Sequence, residues 1–140
     1  MLAARACRDL NRTHRTEADS GFFLMIEGSQ IDWGGHANDG EFVLTETLDL
    51  DRVVGAVLDF AQKDGQTLVV LTADHETGGM AIQSGSLDGS NLKFAFTTKK
   101  HTPVLVPVMS YGPGAERFAG WMDNTDIPRR MAELWALPLR

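Results

Sequence analysis

The stretch 23–39, FLMIEGSQIDWGGHAND, runs an apolar segment straight into groups that can bind cations. The run stops at Glu27; Asp32 follows five residues on and His36 four after that, with glycines between. A short, continuous apolar run closed by glycine reads as a strand buried on both faces, as the strands of a parallel sheet are. A strand is therefore expected over 22–28. Gly34-Gly35 and Asn38-Asp39-Gly40 read as a loop beyond its carboxyl end.

A long helix is expected next, over 39–63. Val43, Thr47, Leu50, Val54, Val57 and Ala61 step by four, three, four, three and four, which makes one helical stripe. Asn38 or Asp39 can cap it, Glu41 or Glu46 suits an early turn near the positive dipole end, and Asp64-Gly65 ends it. TLVVLTADH (67–75) reads as a second buried strand, so the order strand–helix–strand predicts a right-handed parallel crossover. Residues 76–100, rich in Gly and Ser, read as an irregular insertion with one or two small strands. TPVLVPVMSYG (102–112) is a third strand, and Pro107 inside it argues for an edge or a bulge. The chain closes on a helix capped by Asn124 or Thr125, with Pro128 in its first turn, where a missing N–H costs little. Upstream, Leu2, Ala6 and Leu10 share a helical face within 1–12, and a polar loop follows over 11–21.

The chain has 140 residues, enough for one globular domain with its own core. Thirteen Lys and Arg stand against 19 Asp and Glu, a net charge of −6, which argues against a nucleic-acid partner. No apolar run approaches the roughly 20 residues of a membrane span. The start, MLAARACRDLNR, has no signal-peptide core, because Arg5, Arg8 and Asp9 break it. A lone cysteine, Cys7, forms no internal disulfide and says little about compartment.

Three of the four histidines sit at expected strand ends: His36 after the first strand, His75 after the second, His101 before the third. Ligands of open parallel sheets bind beyond the carboxyl ends of strands. Glu27, Asp32 and His36 leave one strand end, and Asp74 and His75 leave another, on the same sheet edge. His101 reaches that edge most easily if the third strand runs antiparallel. Carboxylate oxygen together with imidazole nitrogen suits zinc, whereas a pure oxygen site suits magnesium. Adjacent residues in an extended chain point opposite ways, so Asp74 and His75 meet on one ion only if the chain bends there. Taken singly, each of the six is a common strand-end or turn residue. Their joint placement is what points to a metal site. His14 has nothing near it in sequence and reads as solvated.

These residues resemble a known family. FLMIEGSQIDWGGHAND, TLVVLTADHETGG, HTPVLVPVMSYGPGAERF and NTDI look like the carboxyl-terminal half of an alkaline phosphatase, in the same order, from about residue 20 to the end. The resemblance implies an alkaline-phosphatase-like α/β fold: a three-layer sandwich, mostly parallel central sheet flanked by helices, here truncated. It implies that 1–140 is a single domain fragment from the carboxyl-terminal part of the catalytic domain. By the same resemblance Asp32, His36 and His101 hold one zinc, Asp74 and His75 belong to a second zinc, and Glu27 holds magnesium. Trp33 stands where family members vary among Lys, His and Trp. It either lies near the phosphate and its water or packs under the loop.

The implied reaction is phosphomonoester hydrolysis with a serine nucleophile in a D-S-A motif, clamped by two metals. None of Ser20, Ser29, Ser84, Ser86, Ser90 and Ser110 lies in such a motif. The carboxylate bridging zinc and magnesium, the hydroxyl ligand to magnesium and the phosphate-clamping arginine precede the E-G block in the family and are not in this sequence. The chain is thus expected to supply most metal ligands and no nucleophile, and to be inactive alone. Other readings are a related phosphodiesterase, sulfatase or mutase, or a metal-binding module without turnover. The resemblance also implies a phosphate monoester as substrate, a periplasmic or secreted location, and a homodimer or self-association through an exposed sheet edge.

Overall fold

The structure, a computed structural model, describes residues 21–137. The helix expected over 1–12, most of the loop after it, and His14 lie outside the described residues. The chain divides into two compact units. One holds residues up to 57 together with His75–Val104; the other holds Leu58–Asp74 and residues from Leu105 on.

In the first unit, helix α1 spans Gln30–Ala37 and helix α2 begins at Gly40. The sequence predicted a loop where α1 lies, because Gly34 and Gly35 weaken a helix by about 1 kcal/mol each relative to alanine. Close packing explains both glycines. A Cβ at Gly34 would sit 2.9 Å from Val43 Cγ2, and one at Gly35 would sit 2.8 Å from the Thr77 carbonyl oxygen. The two candidate caps serve different helices. Asn38, in the left-handed region at φ 58°, closes α1 with its N–H on the carbonyls of Gly34 and Gly35. Asp39 starts α2, its Oδ1 accepting from Phe42 N at 3.0 Å.

Helix α2 (Gly40–Asp64) matches the expected helix within a residue at each end. Gly65, at φ 69°, donates its N–H to Ala61 O at 2.8 Å and ends it, as the Asp-Gly pair predicts.

The second unit contains strand β1 (Val69–Thr72), later paired antiparallel with β6 (Val108–Tyr111), from Val69↔Tyr111 to Thr72↔Val108. Pro107 falls just before β6 rather than inside it, where its missing N–H costs the ladder nothing. Phe118, in a 3₁₀ turn over Ala115–Phe118, and Ala132, in helix α3 (Asp126–Leu134), are buried here, as is Ala61 near the end of α2. An Arg117–Glu133 ion pair at 3.2 Å ties the turn to α3. Thr125 stands at the cap position and Pro128 is in the first turn, as expected.

Between β1 and β6 the first unit inserts four short strands: β2 (Glu76–Thr77), β3 (Ala81–Ser84), β4 (Lys93–Ala95) and β5 (His101–Thr102). β2 pairs with β5 and β3 with β4, both antiparallel. The irregular insertion over 76–100 is thus present, and it holds three short strands, β2, β3 and β4, where one or two were expected.

Two expectations are corrected. Segment 22–28 belongs to no strand, and Phe23 and Met25 are 63% and 80% exposed. An apolar run becomes a strand only when a ladder accepts it. Every strand pair among the described residues is antiparallel, so the strand–helix–strand parallel crossover is not formed by them. The third strand's antiparallel direction agrees with the expectation drawn from His101.

The glycine packing gives opposite signs for one substitution. Gly35→Ala should lower stability by about 1–3 kcal/mol, since a backbone carbonyl must give way. Gly55→Ala, with nothing within 4 Å of the added Cβ, should raise it by about 0.5–1 kcal/mol through helix propensity. Urea unfolding midpoints read both; shifts of the same sign would refute the packing account.

Candidate metal centre

Helical periodicity builds the centre's first part. Residues four apart on α1 share a face, so Asp32 and His36 point the same way. Asp32 Oδ2 lies 3.4 Å from His36 Nε2. β5 brings the third group: His101 Nε2 is 3.6 Å from Asp32 Oδ1 and 3.1 Å from His36 Nε2. One ligand atom from each of Asp32, His36 and His101 falls within 4.8 Å of the others. Their side chains are 34%, 41% and 50% exposed, so solutes can reach them.

The groups behind these side chains fix their orientation. His36 Nδ1 donates to the Lys99 carbonyl at 2.7 Å, which leaves the Nε2 lone pair facing Asp32 and His101. Metal-binding imidazoles commonly donate their other nitrogen to a carbonyl in this way. Thr77 Oγ1 donates to Asp32 Oδ1 at 2.5 Å and lies 3.2 Å from His75 Nδ1. His75 stacks on His101 with ring centroids 3.5 Å apart and planes 16° apart. Imidazole lone pairs lie in the ring plane, so stacked rings aim past each other and suit different ions better than one.

The turn after β2 is held by Glu76. Its Oε2 accepts from Gly79 N at 3.1 Å and from the Thr102 hydroxyl, and its Oε1 accepts from Met80 N at 3.1 Å. Gly78 and Gly79 make that turn possible, at φ 95° and 56°. Partial burial pushes the Glu76 carboxyl up. The Thr102 hydroxyl, the N–H groups of Met80 and Gly79, and the nearby His75 more than offset this and hold it below its ordinary value.

The structure thus brings together Asp32, His36 and His101, with His75 stacked against them. Glu27 is exposed in the irregular segment and is not among the converging groups. Asp74 is exposed and belongs to the other unit. Trp33 is 62% exposed on α1, which does not fit an aromatic packed under a loop. Sequence reading missed Thr77, Glu76 and the Lys99 carbonyl. Thr77 had a signal: in a strand it shares a face with His75, two residues before it.

A family model described as alkaline phosphatase matches residues 2–95. The chain belongs to the alkaline phosphatase family. Among alkaline-phosphatase-like relatives, it is 31% identical to alkaline phosphatase 3 of Bacillus subtilis, over 79% of this chain and 39% of that protein. It is 35% identical to streptomycin-6-phosphate phosphatase of Streptomyces griseus, over 91% of this chain and 31% of that one. The match to alkaline phosphatase of Escherichia coli K12 is 33%, over 78% and 26%. Among solved structures, alkaline phosphatase from the Antarctic bacterium TAB5 superposes with a TM-score of 0.81 at 38% identity, covering 94% of this chain and 40% of that one. A mutant of the TAB5 enzyme solved with Mg bound in its M3 site also gives 0.81, at 40% identity, over 94% of this chain and 41% of that one. The fold is therefore alkaline-phosphatase-like, and the chain spans between about a quarter and two fifths of the length of these relatives.

Zinc is the natural probe of a centre with two nitrogens and one carboxylate. The full chain, freed of metal by chelator, should take up zinc and release protons, because bound imidazoles must be neutral. Replacing His36, His75 and His101 together by alanine should abolish uptake measured by competition with a chromophoric chelator. Uptake equal to the parent's would refute the assignment.

Proposed function

We propose that this chain carries most of the metal-binding part of a phosphomonoesterase site and lacks its nucleophile. The observation that carries this is the convergence of Asp32, His36 and His101 in a chain of the alkaline phosphatase family. In this reading those three hold one zinc, Asp74 and His75 contribute to a second zinc, and Glu27 holds magnesium. The donor chemistry fits: imidazole and carboxylate for zinc, carboxylate alone for magnesium. Bound metal supplies positive charge to an anionic phosphate ester and its leaving oxygen.

The chain's own groups prepare that site. The Lys99 carbonyl holds the Nδ1 proton of His36 and so presents Nε2. Thr77 holds Asp32 against rotation. Trp33, exposed one residue after Asp32, flanks the place where substrate would enter. Within the whole catalytic domain, of which this chain is the carboxyl-terminal part in this reading, the fold is a three-layer sandwich around a mostly parallel sheet. The family resemblance supports export to the periplasm or beyond the cell; no helix among the described residues is long and apolar enough to cross a membrane.

A second reading, a metal-binding module without turnover, is favoured by the serines, since none of the six lies in a D-S-A motif. Turnover separates the two. The chain alone, with zinc and magnesium, should release nitrophenolate from p-nitrophenyl phosphate no faster than the metals do. A positioned nucleophile and a bidentate arginine clamp act as a unit, so losing both removes most of the rate. Adding the amino-terminal part of an alkaline phosphatase catalytic domain in trans should restore turnover; a mixture that stays inert favours the metal-binding module. A rate near ~1 s⁻¹ or above from the chain alone, lost in His101→Ala, would overturn the half-site reading.

We propose also that the chain self-associates. Phe22, Phe23, Leu24, Met25 and Ile26 are consecutive and each at least 37% exposed, and an uncovered apolar run of this kind marks an association surface. Sedimentation should show dimers or larger species, and a hydrophobic dye should bind. A compact monomer that binds no dye would contradict this.

A further inference from the structure

We propose that Glu76 is a positioning residue for the metal centre: its carboxylate fastens the 76–80 turn to β5 and thereby sets His75 against His101. The proposal deepens the zinc reading above and rests on it. Its basis is the β2–β5 ladder, which has only two pairs, Glu76↔Thr102 and Thr77↔His101. A two-pair ladder holds little by itself. Successive side chains in a strand point to opposite faces, and paired residues point to the same face. One face therefore carries Glu76 and Thr102. The other carries Thr77 and His101, with His75 two residues before Thr77.

The first face is a clasp. The Thr102 hydroxyl donates to Glu76 Oε2 across the ladder, between residues 26 apart in sequence. Gly79 N and Met80 N donate to the two carboxylate oxygens from the same turn, each at 3.1 Å. The turn is laced further to the chain before β5: Gly78 N donates to Lys100 O at 3.0 Å, and Thr97 N and Thr98 N donate to Gly78 O at 3.0 and 3.1 Å. The second face is the centre itself, with His75 stacked on His101 at 3.5 Å and Thr77 bonded to Asp32. Glu76 is not among the converging groups, and strand alternation puts it on the face opposite Thr77 and His101. Its three bonds fix the backbone from which two imidazoles project. Removing the carboxylate frees β2 to slide against β5, and the histidine stack is what that slide disturbs.

The test uses the full chain and two readouts. In the metal-free protein, stacking shifts the ring protons of His75 and His101 upfield in NMR spectra. In the zinc titration, a chelator competition gives the dissociation constant. Glu76→Ala should abolish the upfield shift and weaken zinc binding about tenfold or more, the usual range for a group that orients ligands. Backbone amide signals of β1 and β6 should stay in place. Glu76→Gln keeps one acceptor oxygen and should recover part of both effects. Thr102→Val should reproduce part of the loss. Combining it with Glu76→Ala should add little, because both remove one link. Unchanged ring shifts in Glu76→Ala, or full additivity of the pair, would overturn the proposal. If Glu76→Ala does not fold, Thr102→Val decides: a weakened stack supports the clasp, and an intact stack refutes it. If the parent chain takes up no zinc, the metal reading above falls, and the ring shifts still decide the role of Glu76.

Discussion

One hydroxyl organises the centre. Thr77 Oγ1 joins α1, which carries Asp32 and His36, to β2, beside which His75 lies. A hydroxyl has one proton to give. Thr77 gives it to Asp32 Oδ1 at 2.5 Å, so toward His75 it acts as acceptor, and the proton of that bond sits on His75 Nδ1. The Lys99 carbonyl imposes the same choice on His36. Two imidazoles are thus oriented by partners outside the converging set. A valine at position 77 would keep the shape and lose the hold on both Asp32 and His75 at once.

That bond is possible only because α1 lies very close to β2. The Gly35 backbone leaves no room for a Cβ against the Thr77 carbonyl, and Gly78 leaves none against the Gly35 carbonyl, 3.0 Å from where a Cβ would be. The glycines of GGH and TGG are two sides of one contact. Each weakens its own element, by about 1 kcal/mol for a helix interior. The contact in return places Asp32 within reach of Thr77. The local cost and the tertiary gain concern the same atoms, which explains why helix propensity gave the wrong answer for 30–37.

This marks what was readable in the sequence. α2 was legible nearly to the residue because its stripe, its Asp39 cap and its Gly65 stop are all local. The convergence of Asp32 and His36 was legible through motif spacing, and D-x-x-x-H turned out to be one helical turn. The supporting groups were not. Lys99 contributes a backbone carbonyl, which no side-chain pattern reveals, and Glu76 works through a turn built by left-handed glycines. Segment 22–28 failed for a different reason. Its composition fits a buried strand, yet strand formation is a property of a pair of segments, and none of the three sheets among the described residues includes it. The run's composition names no partner strand, and without one it stays exposed.

The same geometry links order in α1 to occupancy of the centre. An eight-residue helix with two internal glycines is marginal in water by itself. Its docking rests on the Gly35–Thr77 contact, the Thr77–Asp32 bond and the His36–Lys99 bond. Ligand atoms of Asp32, His36 and His101 lie within 4.8 Å of one another, with His36 Nε2 and His101 Nε2 in hydrogen-bond contact at 3.1 Å. A cation held by Asp32 and His36 would bridge one helical turn and add to that docking. Ligands that bind the folded state alone stabilise it by mass action, so metal affinity and the stability of α1 are one linked quantity. Substitutions that loosen α1 without removing a ligand, at Gly35 or Thr77, must therefore also weaken the binding of any ion the ligands hold.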